Sequence, residues 1–249
     1  MGPFPRGFAQ GLLIGGALVA LLWVVGERRR REIVIGKVLE KTGGTPFPGP
    51  RIYTLLAEQL MGGVYRAVAE DVVAETKSGE LLEIGSGTGH LAVEIGRRAR
   101  DLEITTMDDS ANVVRLAESR IHAAGLGRQI KVALGNVKEI PFPSGSFDVA
   151  ISLGAFHRWR APDLVLDEIY RVLKSGGIAL IYDVRRELEE EEDWERIRHR
   201  VPALVRPFFE LGTMGSWRDA FTEDQIRDVI ASSPFLLGRF NPMPMNRDG

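Results

Sequence analysis

Cysteine is absent from the 249 residues. Its absence excludes disulfides, thiolate nucleophiles and cysteine-ligated metal centres, and leaves the compartment open. Histidine is scarce: His90, His122, His157 and His199 are scattered, without the close spacing of metal ligands. No metal is therefore expected. An excess of either charge is missing as well. Lys and Arg number 32 against 34 Asp and Glu, a net charge of −2. Composition thus gives no sign of a nucleic-acid partner. There is no internal repeat, and the length allows one large domain or two small ones.

One stretch lacks charge altogether. Residues 7–26 read as a glycine followed by FAQGLLIGGALVALLWVVG. About 20 such residues, as a helix, cross a hydrocarbon core of about 30 Å. Arg28, Arg29, Arg30 and Arg31 follow at once, with only Arg6 on the other side. The positive-inside rule then places the chain from Arg28 onward in the cytoplasm. A cleaved signal peptide would carry its basic residues ahead of the apolar run and small residues after it. The order here is reversed, so residues 1–31 read as an uncleaved single-pass membrane anchor with a basic flank. Gly7, Gly11 and Gly15 share one helix face and allow a weak homodimer, although glycine is common in membrane helices anyway. Residues 32–50 form a linker, rich in Pro and Gly from Thr42 to Pro50. Residues 51–249 are the remaining domain.

That domain alternates strand and helix patterns. Leu81 to Ile84 is a short apolar run. It leads into Gly85, Gly87 and Gly89, and then into the helical spacing of Leu91, Ala92, Ile95 and Ala99. Further strands read at Ile104–Asp108, Ile130–Leu134, Phe147–Leu153 and Ile178–Tyr182. Amphipathic helices lie between them, and Ser110 is placed to cap one with its hydroxyl. Residues 51–77 have helical spacing that Gly62-Gly63 is expected to divide in two. Such alternation gives a doubly wound, mostly parallel sheet covered on both faces. Ligands of these sheets gather at the carboxyl ends of the strands. The glycines let the backbone approach a ligand closely, because no Cβ intervenes; a plain strand-to-helix turn is the other reading.

The spacing departs from the G-x-G-x-x-G of dinucleotide sites. Here it is Glu83-x-Gly85-x-Gly87-x-Gly89, with an acid two residues before the first glycine. This resembles motif I of the class I S-adenosylmethionine-dependent methyltransferases. The segments PFPSGSFDVAIS (141–152) and EIYRVLKSGGIALIYDV (168–184) resemble the same family, in the group that includes the ubiquinone and menaquinone methyltransferases. The resemblance covers roughly residues 80–185.

The resemblance implies an S-adenosylmethionine site and a Rossmann-like, seven-stranded sheet closed by a late antiparallel pair near Phe235 to Phe240. Glu83 suits a ligand with an ammonium and a sulfonium, and would repel a pyrophosphate. Gly85, Ser86, Gly87 and Gly89 would form the loop. Asp108, with Asp109 beside it, would accept from the ribose hydroxyls; an acidic helix start is the alternative. Asn136 stands where the family usually has Asp. It can accept from the adenine amino group, or be a turn residue. Val137 and Leu153 complete the cofactor set. Tyr53 is either a contact over the cofactor or a packing aromatic.

His157 follows the fourth strand and is the candidate base; it can equally be a structural or cofactor-side residue. Asp183 is a weaker candidate. The acidic run Glu187 to Glu195 reads as a solvated face. Thr222 to Gln225 is a capping box at a helix start. The leading reading is a methyltransferase at the cytoplasmic membrane face. Its acceptor would be a small, lipophilic molecule such as a quinone precursor or isoprenoid lipid. A non-catalytic cofactor-binding scaffold remains open, as does, less favoured, a nicotinamide-dependent reductase.

Overall fold

The computed structural model describes residues 50–183 and 220–235, with side chains from residue 61 onward. Its first helix, α1, runs Pro50–Glu75 without a break at Gly62-Gly63, contrary to the two helices expected there. Each glycine costs an interior helix about 1 kcal/mol, far less than a proline, because its N–H still donates along the helix. The last three turns bury Val68, Ala69 and Val72, and this packing holds the helix through the glycines.

Five strands follow: β1 Ser78–Ile84, β2 Asp101–Asp108, β3 Ile130–Leu134, β4 Phe147–Leu153 and β5 Leu173–Tyr182. Their order is β3-β2-β1-β4-β5, and every pairing is parallel. The helices between them are α2 His90–Arg98, α3 Ala111–Ala123 and α4 Pro162–Val172; α5 Glu223–Ala231 comes later. Chain order reverses across β1 and β4, so the crevice of this doubly wound sheet opens at their carboxyl ends.

Strand alternation explains the two cores. Leu81 and Ile104 pack with Val68, Leu91, Ile95, Ala117 and Ile121, which puts α1, α2 and α3 on one face. Leu82 and Ile84 pack with Val165, Leu166 and Ile169 of α4, and α5 covers the same face through Ile226 and Val229.

Helix ends carry local signals. Pro162 opens α4, where a missing N–H costs nothing. Thr222 and Gln225 form the expected capping box on α5. Ser110 is the N-cap of α3, but its hydroxyl makes no capping bond. Its own N–H donates instead to Asp108 Oδ1 at 3.0 Å, so the acid two residues earlier organises this turn. At β5 the ladder resumes directly after α4, with a register irregularity at Phe147/Val149. The strand thus begins at Leu173, ahead of the Ile178 start expected from the sequence, and takes in Ser175-Gly176-Gly177.

Among the described residues the sheet has five strands. Phe235 is described and lies outside any strand; residues 236–240 of the expected late pair, the anchor at residues 7–26, the Gly7/Gly11/Gly15 face, the 32–49 part of the linker and the 187–195 run all lie outside the described residues. No helix among the described residues is long and apolar enough to cross a membrane.

Candidate functional site

The carboxyl end of β1 turns into α2 through Gly85, Gly87 and Gly89, at φ of 80°, 50° and 78°. These left-handed values are where glycine is at ease and other residues are strained. The three glycines do different work. A Cβ on Gly89 would meet Ala117 Cα and Cβ at 3.2 Å, and one on Gly85 would meet Ala155 Cβ at 2.9 Å. Those two allow close packing, on α3 and on the segment after β4. A Cβ on Gly87 would meet nothing within 4 Å, and Gly87 is exposed. It faces open space at the end of the strands, as the floor of a ligand site would.

Beneath the loop, backbone bonds fasten it to β2. The N–H groups of Gly85 and Ser86 both donate to the Met107 carbonyl at 2.9 Å, and Gly89 N–H donates to the Ser86 carbonyl. Ser86 is buried, and its hydroxyl donates to the Gly87 carbonyl at 3.2 Å.

Asp108 ties the same two elements together. Its Oδ2 accepts from Gly87 N–H at 3.2 Å, and Oδ1 accepts from Ser110 N–H. Burial raises the Asp108 pKa; the Ser110 N–H opposes this, Asp109 adds to it, and the Gly87 N–H and Arg158 charge also oppose it. Asp109 is exposed. The tip of β2 therefore presents Asp108, not Asp109, toward the loop.

Glu83 lies deeper, only 2% exposed. Its register partner on β2 is Thr106, whose hydroxyl donates to Glu83 Oε2 at 2.5 Å. Burial pushes the Glu83 carboxyl up to about 8; the Thr106 bond offsets part of that, and Asp108 adds to it. The carboxylate read from the sequence thus holds a proton near neutral pH until a cation comes close. Thr106 was not singled out in the sequence. No local signal marks it, because Thr105 stands beside it and the strand also holds Asp101, Glu103 and Asp108.

Asn136 and Val137 follow β3. Asn136 is exposed, and its Oδ1 accepts from Lys138 N–H at 2.9 Å, so its oxygen already shapes a local turn. Val137 packs on the α4 side of the sheet and Leu153, at the end of β4, on the α1 side. Of Tyr53 only the backbone is described, within α1. His157 lies in a short turn, Phe156–Arg158, after β4. Its Nδ1 is 2.8 Å from Asp183 Oδ1 at the end of β5. The fold therefore joins two residues that the sequence shows 26 positions apart. It also bonds Asp108 to the loop at Gly87 N–H and buries Glu83 at the end of β1 against Thr106.

A cavity of about 620 Å³ lies elsewhere, between α1, α2 and α3, lined by residues including Tyr65, Arg66, Thr88, His90, Arg97 and Arg120. It borders the outer flank of the loop and includes none of Glu83, Gly87, Asp108 or His157. The chemistry of the donor set, not cavity size, marks the candidate ligand site. A buried acid under an open glycine, with a second acid at the next strand's tip, suits a cationic ligand that carries hydroxyls. The Asp108 carboxylate disfavours a pyrophosphate.

Residues 82–181 match the methyltransferase domain family. The ubiquinone/menaquinone biosynthesis C-methyltransferase of Dinoroseobacter shibae is 30% identical over 135 residues, 53% of this chain and 54% of that protein. The fatty-acid O-methyltransferase of Mycolicibacterium smegmatis is 30% identical over 139 residues, 56% of this chain and 48% of that protein. The chain thus spans about half the length of the curated relatives it matches. A SAM-dependent methyltransferase structure from Aquifex aeolicus superposes with a TM-score of 0.59 at 18% identity, covering 76% of this chain and 90% of that one. A Methanococcus maripaludis structure gives 0.60 at 23% identity, over 74% and 81%. These two show a shared fold. The family match begins inside β1 and ends inside β5, the span that carries Glu83, the glycine loop and Asp108, and over this span the chain is similar to the S-adenosylmethionine-dependent methyltransferases.

Proposed function

We propose that this chain transfers methyl groups to a small quinone-related or lipid-like acceptor, from a position held at the cytoplasmic face of a membrane by residues 7–26. The observation that carries the catalytic part is the cluster of Glu83, Gly87 and Asp108 at the sheet's switch point. S-adenosylmethionine supplies an electrophilic methyl on a positive sulfur. Glu83 is placed to answer a nearby positive charge by releasing its proton. Asp108 is placed to accept from ribose hydroxyls, and open Gly87 admits the ligand. The remaining task is to hold an acceptor in line and keep water away.

Support for the acceptor class comes from two directions. The curated relatives include quinone-biosynthesis and fatty-acid methyltransferases. The uncharged stretch at residues 7–26, followed by four arginines, would keep the pocket near lipid, where a lipid acceptor is concentrated. The test is incubation of the full chain, and of a form lacking residues 1–31, with labelled S-adenosylmethionine and membranes. Label should enter lipid with the full chain. The truncated form should keep cofactor affinity, lose turnover on membranes and recover some on detergent-dispersed lipid. Full activity of both forms on a water-soluble acceptor, with none on lipid, rejects the acceptor class. Cofactor binding with no transfer to any fraction would favour a non-catalytic module instead.

A further inference from the structure

Asp183 sits directly after β5, and its carboxylate grips His157 twice. The His157 backbone N–H donates to Oδ2 at 3.0 Å, and Nδ1 lies 2.8 Å from Oδ1. Both side chains are 7% exposed, so water competes little for the contact. An ionised carboxylate can only accept, so Nδ1 must carry the proton. A neutral imidazole then keeps its lone pair on Nε2, at the opposite edge of the ring.

The turn that carries this ring adjoins the cofactor loop. Ala155 packs so closely on Gly85 that a Cβ there would lie 2.9 Å away. The Arg158 charge acts on Asp108. From the other side, Gly154 N–H donates to the Tyr182 carbonyl at 2.8 Å. Residues 154–158 therefore bridge from the glycine loop to the end of β5. The imidazole stands between the glycine loop and the end of β5.

We infer that Asp183 is a positioning residue that holds His157 as a base through Nε2, and that the site takes acceptors whose reacting group is a protonated hydroxyl, such as a phenol or hydroquinone. The inference rests on the methyltransferase reading. In the transfer the acceptor O–H bond breaks and its proton passes to Nε2. The electron pair left on the acceptor, on oxygen or delocalised to a ring carbon, forms the bond to the methyl carbon. The pair of the broken carbon–sulfur bond stays on sulfur, which becomes neutral. Asp183 stabilises the imidazolium that results, and its grip on Nδ1 keeps the wrong tautomer from forming. A carboxylate acceptor, already ionised at neutral pH, would give this base nothing to do.

The test uses the full chain, its D183N and H157Q variants, labelled S-adenosylmethionine and two phenols of similar shape. One phenol is protonated at neutral pH, with a pKa of about 10; the other carries electron-withdrawing groups and is ionised. Calorimetry with the cofactor shows which variants fold. On the protonated phenol D183N should lose roughly 10²–10⁴-fold in turnover, at least ten times its loss on the ionised phenol. Raising pH should return part of that rate. H157Q should show the same discrimination, and decides the matter alone if D183N does not fold. Equal losses on both phenols, with cofactor affinity retained, overturn the inference and leave the pair a structural brace. Wild-type chain that binds cofactor yet labels neither phenol nor lipid overturns the methyltransferase reading itself, and this proposal with it.

Discussion

Glu83 and Thr106 face each other across β1 and β2, and the threonine hydroxyl donates to a glutamate carboxyl that is only 2% exposed. The bond favours the ionised carboxyl, and burial outweighs it. Burial raises the Glu83 pKa to about 8, so the folded cofactor-free chain keeps a proton that the unfolded chain loses near its ordinary value of 4.5. The sign follows from linkage. Glu83 contributes its full stability below about 4.5, and that contribution falls as pH rises toward 8. The unfolding free energy of the cofactor-free chain should therefore drop across this window, by on the order of 1 kcal/mol per pH unit at the steepest, and the melting temperature with it. Glu83→Gln should flatten the drop. Binding of the cationic cofactor at pH 7 should release a proton, visible as a dependence of binding heat on buffer ionisation enthalpy. A variant with the same pH profile as wild type would show that Glu83 is ionised in the folded chain.

Asp108 and Asp109 should behave differently. Asp108 holds Gly87 and Ser110 N–H groups, and Asp109 is exposed. Asp108→Ala should weaken cofactor binding by about 1.5–3 kcal/mol, through lost charge-assisted hydrogen bonds and a loosened loop. Asp109→Ala should change it by a few-fold at most. Calorimetric titration distinguishes the two; equal losses would mean that the ribose is held elsewhere.

The loop glycines should separate binding from folding. Gly87→Val meets no neighbour, so its cost to the fold is the φ strain of about 1–2 kcal/mol. The branched side chain would fill the ligand's space, so a folded domain without cofactor affinity is expected. Gly89→Val would press on Ala117 Cα and Cβ at 3.2 Å, pushing α3 away from the loop and lowering the melting temperature more than Gly87→Val does. The reverse order of stability losses would show that α3 yields to a side chain at Gly89, and unchanged cofactor affinity in Gly87→Val would place the ligand elsewhere.

A fourth test concerns the long connection before β4. Arg171 on α4 donates to the Ile140 and Phe142 carbonyls at 2.9 Å, and Glu168 accepts from Ile140 N–H at 2.8 Å and from Arg171. The Arg171 bond holds the Glu168 pKa below its ordinary value. That contribution is present above the unfolded pKa and is lost as pH falls. Arg171→Ala should cost about 1–2 kcal/mol in denaturant unfolding and reduce the acid sensitivity of wild type. No change in either would show that the connection is held by its apolar contacts alone.

Much of this was legible along the chain. Leu81 to Ile84, the three glycines and the alternation that follows define strand, loop and helix, because local periodicity and glycine's freedom act within a few residues. Asp108 at a strand's end and Thr222 with Gln225 at a helix start are likewise local signals. Three features depended on contacts that no local pattern encodes. Gly62-Gly63 does not break α1, because burial of Val68, Ala69 and Val72 outweighs glycine's weak helix propensity. Thr106 meets Glu83 only once the parallel register of β1 and β2 is set, and the proton on Glu83 comes from the desolvation that this burial brings. His157 meets Asp183 only because β4 and β5 are neighbours with their carboxyl ends together. Sequence carries which residues are able to bond; the pairing of distant strands decides which of them do, and how dry the contact is.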